Sequence, residues 1–440
     1  MMKILKWVGG LSLLGVLVGI WYAFPQLKIG AGYAAKMACS CYYLQGRSLQ
    51  DIQARDLNFS VLPQVRLSLN ETQQSVTASF FGLISQTAYF LGDGCTLQAE
   101  PSRDLPDPYP VPIRSPLALA TYDTFPAALD TSLLSAAADL AFKPLPGGGT
   151  RALVMLHDGR LVYERYAPGF GPDTPLLGWS MTKSIVNALL GLASKYDFLQ
   201  LKDRALFPEW QADARAEITV EDLLQMNSGL EWNEAYGSVS DATHMLYRQA
   251  AMGQYAVEKK LEVAPGQYWE YSSGTSNILS QLLRQKSGNK TAYRAMLYDS
   301  LFASIGMHSA RIERDQSDHY VGSSYGWATA RDWARFGQLY LQQGRWNGKQ
   351  LLPAGWVDFS RQAAEGSNGI YGAHIWLQTA DARSAPADVF MFRGFQDQRI
   401  VIIPSRQVVL VRLGMNADQT FPLDDFLQLA LKGFPAVVEE

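Results

Sequence analysis

The chain opens on an uncharged, mostly apolar run from Trp7 to Leu27, with Lys3 and Lys6 before it and Lys28 after it. As a helix, a run of that length crosses the ~30 Å of a bilayer's hydrocarbon. Trp7, Trp21 and Tyr22 suit the interfacial belts, and the leading lysines put the N-terminus in the cytoplasm. Residues 1–27 are therefore expected to be a retained membrane anchor. The alternative is a signal segment cleaved near Gly32-Tyr33-Ala34. Both readings export the remainder, and the first gives a single-pass inner-membrane protein with its bulk in the periplasm.

Downstream the period of the pattern changes. Alternation at Val65–Leu69 and Val76–Leu91 predicts strands and makes residues 28–100 a small β-containing module. Six prolines between Pro101 and Pro116 mark residues 101–117 as an extended linker. Residues 118–436 then form the main domain. Leu133–Phe142 has helical spacing, while Ala152–His157 and Leu161–Tyr166 are strands joined at the hairpin signal Asp158-Gly159. Residues 180–300 are mainly helical, with Thr219 and Asp222 forming a capping box before Leu223–Met226. Val389–Phe392, Arg399–Ile403 and Val408–Leu413 predict three more strands, and Leu423–Leu431 a closing helix. Strands, a long helical insert, then strands again predict an α+β fold. It has one antiparallel sheet flanked by helices, preceded by one transmembrane helix.

Composition narrows the function classes. Lys plus Arg number 38 against 41 Asp plus Glu, so nothing electrostatic invites a nucleic acid. Three cysteines without C-x-x-C spacing and five histidines without H-E-x-x-H argue against structural zinc and a zincin. No metal or other cofactor is expected. Cys39, Cys41 and Cys95 all follow the exported boundary, where an oxidising compartment favours one bridge. Cys39–Cys95 is the expected pair, with Cys41 free; three buried thiols are the alternative.

The chemistry centres on Ser180-Met181-Thr182-Lys183, which opens the apolar helix Ile185–Leu192. Positions i and i+3 share a helix face, so the lysine amine lies beside the serine hydroxyl. A serine becomes nucleophilic when an adjacent base takes its proton, and a partly desolvated lysine can help. The motif recurs at Ser287-Gly288-Asn289-Lys290 among loop formers, where it reads as surface. Tyr271-Ser272-Ser273 stands on a loop entering a helix; Tyr271 is a candidate general base and Ser273 a donor to a substrate amide. Tyr236-Gly237-Ser238 repeats that skeleton, and Tyr236 is expected to border the pocket. Late in the chain, Phe392-Arg393-Gly394-Phe395-Gln396-Asp397-Gln398 ends a strand. There Arg393 is a candidate clamp for an anion, and a backbone N–H near Gln398 a partner to that of Ser180 for an oxyanion.

S-x-x-K on a helix, Y-x-S on a loop and a late strand motif, in that order, resemble the serine β-lactamase-related hydrolases of the class C type. That group includes penicillin-recognising peptidases, esterases and 6-aminohexanoate-dimer hydrolases. The resemblance runs over about residues 120–435 and takes in Ile218–Leu230, Ala328–Gly337 and Gly344–Lys349. It implies Ser180 as acylated nucleophile, Lys183 as proton partner and Tyr271 as base. Two departures stand out. Ser273 replaces the Asn of β-lactamases, and Phe395-Gln396-Asp397 aligns with their Lys-Thr-Gly. Both lean away from β-lactams toward a small-molecule amide or ester, nearest the 6-aminohexanoate-dimer hydrolase branch. The rivals are a β-lactamase or D-Ala-D-Ala peptidase and a catalytically inactive envelope-binding module of the same fold.

Overall fold

The computed structural model describes residues 2–111 and 117–435, with side chains from residue 24 onward. One helix runs from Met2 to Gln45. Among the described residues no helix is long and apolar enough to cross a membrane. The run expected to do so, Trp7–Leu27, lies almost wholly outside the residues whose side chains are described.

The second half of that helix enters the body of the protein and is buried without a break from Gly30 to Cys41. Small residues make this possible. A Cβ on Gly32 would stand 3.0 Å from both the carbonyl oxygen and the Cβ of Tyr247, so only glycine lets the helix seat against Asp241–Arg248. On its other side lies a four-stranded antiparallel meander of β1 (Arg66–Asn70), β2 (Ser75–Phe80), β3 (Ile84–Phe90) and β4 (Cys95–Leu97). The stretch Val76–Leu91, expected as one strand, is two, because Phe81 and Gly82 turn with positive φ between β2 and β3.

The spine of the molecule is a second antiparallel sheet. It contains β5 (Gly149–His157), β6 (Arg160–Tyr166), β7 (Phe390–Gly394), β8 (Gln398–Ile403) and β9 (Val408–Met415), in the order β7-β8-β9-β5-β6. Asp158 and Gly159 take the positive φ that the β5–β6 hairpin needs. Helices Thr131–Ala141 and Leu423–Ala430 cover one face in a single apolar cluster. Helix Ala330–Leu341 covers the other, and Gly337 lets it approach Val409 and Ile400.

The expected boundary between residues 28–100 and the main domain is not a boundary in packing. Ala31–Cys41, β2 and the main-domain helices share one hydrophobic core. Buried Lys36 pairs with buried Glu313. The same carboxylate accepts from the Ser40 hydroxyl at 2.6 Å, the Cys95 amide at 2.7 Å and the Trp327 indole at 2.8 Å. A disulfide joins Cys39 to Cys95 beside it, and Cys41 is free and buried. Nor do the described residues of 101–117 stand clear as a spacer. The Tyr109 amide donates to Leu91 O at 2.7 Å, and Arg314 donates to Asp107 O.

Candidate active site

Strand Leu176–Leu177 delivers the chain to Ser180 through a sharp turn. Trp179 is held at φ +49°, an uncommon conformation for a bulky residue. Its ring fixes it there, stacking on Tyr33 of the N-terminal helix at 6.2 Å and donating from the indole to Gln396 Oε1 at 3.1 Å. The turn leaves Ser180 part-exposed between buried Trp179 and Met181, capping helix Met181–Lys195. Negative charge developing on its oxygen there meets the positive end of the helix.

One turn on, the Lys183 amine stands 3.0 Å from Ser180 Oγ, 3.0 Å from Ser273 Oγ and 3.1 Å from Ser323 O. It is fully buried, and burial lowers its pKa to about 8. Near neutrality an appreciable fraction is therefore uncharged, with a lone pair available to a neighbouring hydroxyl proton. Tyr271 lies on the same cluster. Its ring centroid is 4.8 Å from Lys183 Nζ and its hydroxyl interacts with that of Ser180. Burial, with the Glu234 charge behind it, pushes its pKa well up, so the resting group is a neutral phenol. Near neutrality the unprotonated form that a base needs is thus more accessible to Lys183 than to Tyr271, the residue expected in that role.

Glu234 was not foreseen. Its carboxylate accepts from Ser273 Oγ at 2.5 Å and Ser273 N at 2.8 Å. It also accepts from the Trp232 indole at 2.6 Å and the Tyr236 hydroxyl at 3.1 Å. Ser273 is therefore a bridge from Lys183 to a carboxylate, and its proton is spent on Glu234 rather than aimed at a substrate amide. Tyr236 does border the cluster, 3.2 Å from Ser273 Oγ, with its ring stacked on Phe395 at 5.3 Å. A Trp-Asn-Glu-Ala-Tyr stretch carries no recognisable motif; only its adjacency to Tyr236 could have drawn attention to Glu234.

The strand ends three residues before the Asp397 that the sequence reading aligned with the motif's glycine. β7 is the sheet's edge, and its Gly394 lies against the turn before Ser180: a Cβ there would meet Gly178 O at 2.1 Å. Met391 exchanges both backbone hydrogen bonds with Trp376, outside the sheet. Backbone groups alternate direction along a strand, so Gly394 pairs inward with Gln398, and the same alternation carried one residue further turns Phe395 N outward. Gln398, whose amide was the expected oxyanion partner, is paired with Gly394 in the sheet, which leaves Phe395 N as the candidate. The Gln398 side chain is also committed, its Nε2 donating to Phe395 O, Gln396 O and Gly414 O. Phe395-Gln396-Asp397 forms the hairpin loop. Asp397 is buried there, accepting from Arg399, Asn416 and the amides of Gln419, Thr420 and Phe421. Arg393 is no free clamp either, since its guanidinium is ion-paired with Asp381 at 2.9 Å.

The second S-x-x-K copy falls apart in space. Ser287 ends one helix, and Lys290 starts the next and pairs with Asp318 at 3.1 Å. Behind the site, buried His374 lies between Ser276 Oγ and Leu224 O, both at 2.8 Å. Burial lowers its pKa to about 3, which keeps the ring neutral and structural. No cluster of metal-ligating side chains occurs among the described residues.

A helix-capping serine with a buried lysine one turn on, beside the edge of an antiparallel sheet, defines the β-lactamase/transpeptidase-like class of hydrolase. The Beta-lactamase family model matches residues 142–428, and the chain belongs to that family. It is similar to the 6-aminohexanoate-dimer hydrolase of Paenarthrobacter ureafaciens, 23% identical over 297 residues, 61% of this chain and 73% of that one. Among solved structures, a Bacillus anthracis protein described as a 6-aminohexanoate-dimer hydrolase superposes with TM-score 0.56 at 23% identity. The match covers 64% of this chain and 79% of that one. A family VIII carboxylesterase superposes with TM-score 0.53 at 13% identity, over 69% and 96% of the two chains.

Proposed function

We propose that the protein is a serine hydrolase that cleaves an amide or ester through a covalent acyl-enzyme on Ser180. The observation that carries this reading is the Lys183 amine, 3.0 Å from Ser180 Oγ with its pKa lowered to about 8. Neutral Lys183 takes the Ser180 proton as Oγ attacks the carbonyl carbon. The amides of Ser180 and Phe395 hold the oxyanion. On collapse the bond to the leaving group breaks. The Tyr271 phenol protonates the departing oxygen or nitrogen and recovers a proton from the Lys183 ammonium. Water then attacks the acyl carbon as Lys183 takes its proton; the bond to Ser180 Oγ breaks, Oγ recovers that proton, and the acid leaves.

The rivals fit less well. A β-lactam or peptide carboxylate needs an unpaired cation, and Arg393 is committed to Asp381. An inactive binding module has no use for a desolvated lysine against an accessible serine. Assaying the purified protein against esters, linear amides and β-lactams tests the choice. Ester or amide turnover is expected, and turnover confined to β-lactams would overturn it.

We also propose that residues 1–27 anchor the enzyme and that its bulk lies outside the cytoplasm. The charge asymmetry around Trp7–Leu27 and the Cys39–Cys95 bridge support this. Alkaline phosphatase fused after residue 440 should be active, and a stable but inactive fusion would refute it.

A further inference from the structure

A groove of about 320 Å³ runs beside the site, and its floor is shared with the catalytic cluster. Trp179 precedes the nucleophile, Phe395 supplies the second oxyanion amide, and Tyr236 bonds to Glu234 and lies against Ser273. One wall comes from Leu27, Ile29 and Tyr33 of the N-terminal helix together with Phe59 and Val61. Val239 closes the opposite side. Every one of those wall residues except Val239 lies outside residues 142–428, so this surface is an addition of this chain to the family domain.

The groove's lining is uncharged and its exposed wall is apolar. None of its described lining residues is Lys, Arg, Asp or Glu. Phe59, Val61 and Val239 are 37%, 39% and 43% exposed along it, which leaves apolar surface facing water next to a nucleophile. A site built to hold a charged group would place an opposite charge here, whereas the polar side-chain lining is limited to hydroxyls, the Gln26 amide and the Trp179 indole, which is already bonded to Gln396.

Geometry also assigns which half of a substrate enters. Tyr271, the donor to the leaving group, does not line the groove; its ring packs on Tyr371 and Trp376. The leaving group therefore departs on the Tyr271 side. The acyl half, which stays bound to Ser180 until water arrives, extends past Phe395.

Resting on the acyl-enzyme reading above, we propose that this groove is an acyl-chain subsite and that the substrate class is an ester or amide of an unbranched aliphatic acid. Val61→Asp/Val239→Asp tests it, because both side chains are exposed and neither belongs to the catalytic cluster. Decanoate, below its micellar concentration, should bind the Ser180→Ala protein, measured by calorimetry. It should bind at least ~10-fold more weakly when the two aspartates are added. The wild type should turn over p-nitrophenyl decanoate with a kcat/KM at least ~10-fold above the acetate, since each methylene taken from water contributes roughly a fourfold factor. The double substitution should abolish that preference and leave acetate turnover unchanged. Failure of decanoate to bind, or equal losses on both esters, would overturn the subsite. Decanoate binding that is sensitive to the aspartates, with no ester turned over, would uphold the subsite and overturn the catalytic reading instead.

Discussion

Lys183 and Tyr271 move in opposite directions from their ordinary pKa values, and that divergence assigns their parts. Burial favours the neutral form of each, which makes the amine a base and the phenol an acid. Activity should therefore rise with pH as the amine loses its proton, with a midpoint in kcat/KM near 8. Glu234 stabilises the Lys183 ammonium through space, so removing its charge lowers the lysine pKa further. Glu234→Gln should move the acid limb of the profile to lower pH; an unmoved limb, or one displaced upward, would contradict the assignment. Ser180→Ala, Lys183→Ala and Tyr271→Phe should each cost at least ~10²-fold in kcat, because members of one unit fail together. Ser287→Ala should leave turnover unchanged. At this scale the sequence disclosed the residues that sit in motifs, Ser180, Lys183 and Tyr271. Ser323 O reaches the lysine directly and Glu234 through Ser273, each from a separate loop, and no local pattern announces a link made only by folding.

Among the elements, the β7 edge and the Ser180 turn meet at two glycines. Gly178 carries the carbonyl and Gly394 the missing Cβ, so the edge strand closes on the turn that holds Ser180. Gly394→Ala should push the edge strand away, cutting kcat by at least ~10-fold and lowering Tm. A fully active Gly394→Ala protein would show that the oxyanion donor lies elsewhere. The five spine strands and their flanking helices were legible because their apolar spacing is local. The register of Phe392–Gln398 against the nucleophile was not. A hairpin loop of Phe395-Gln396-Asp397 and a continuing strand look alike in sequence when Asp397 is buried by partners as distant as Phe421.

Taken whole, the molecule is built around its N-terminal helix. Residues Gly30–Cys41 fill the core, the Lys36–Glu313 pair ties them to the main domain, and Tyr33 buttresses the Trp179 turn. The sequence suggested a small separate module because the segment has strand alternation and is followed by prolines; nothing in its pattern says what its buried face packs against. Cys39 and Cys95 are 56 residues apart, and closing a loop of that size is worth about 4 kcal/mol on the chain-entropy model. Cys39→Ser/Cys95→Ser should lower Tm by several degrees, and an unchanged Tm would show that packing alone holds the helix.

The central claim is that Ser180 is acylated and that Lys183 makes it so. Intact-protein mass spectrometry after a fluorophosphonate probe tests it most directly, with the modified peptide sequenced. The account predicts one adduct on Ser180, forming faster as pH rises through 8, absent from Ser180→Ala and slowed at least ~10²-fold in Lys183→Ala. An adduct on another residue, or none on a folded protein, would contradict it.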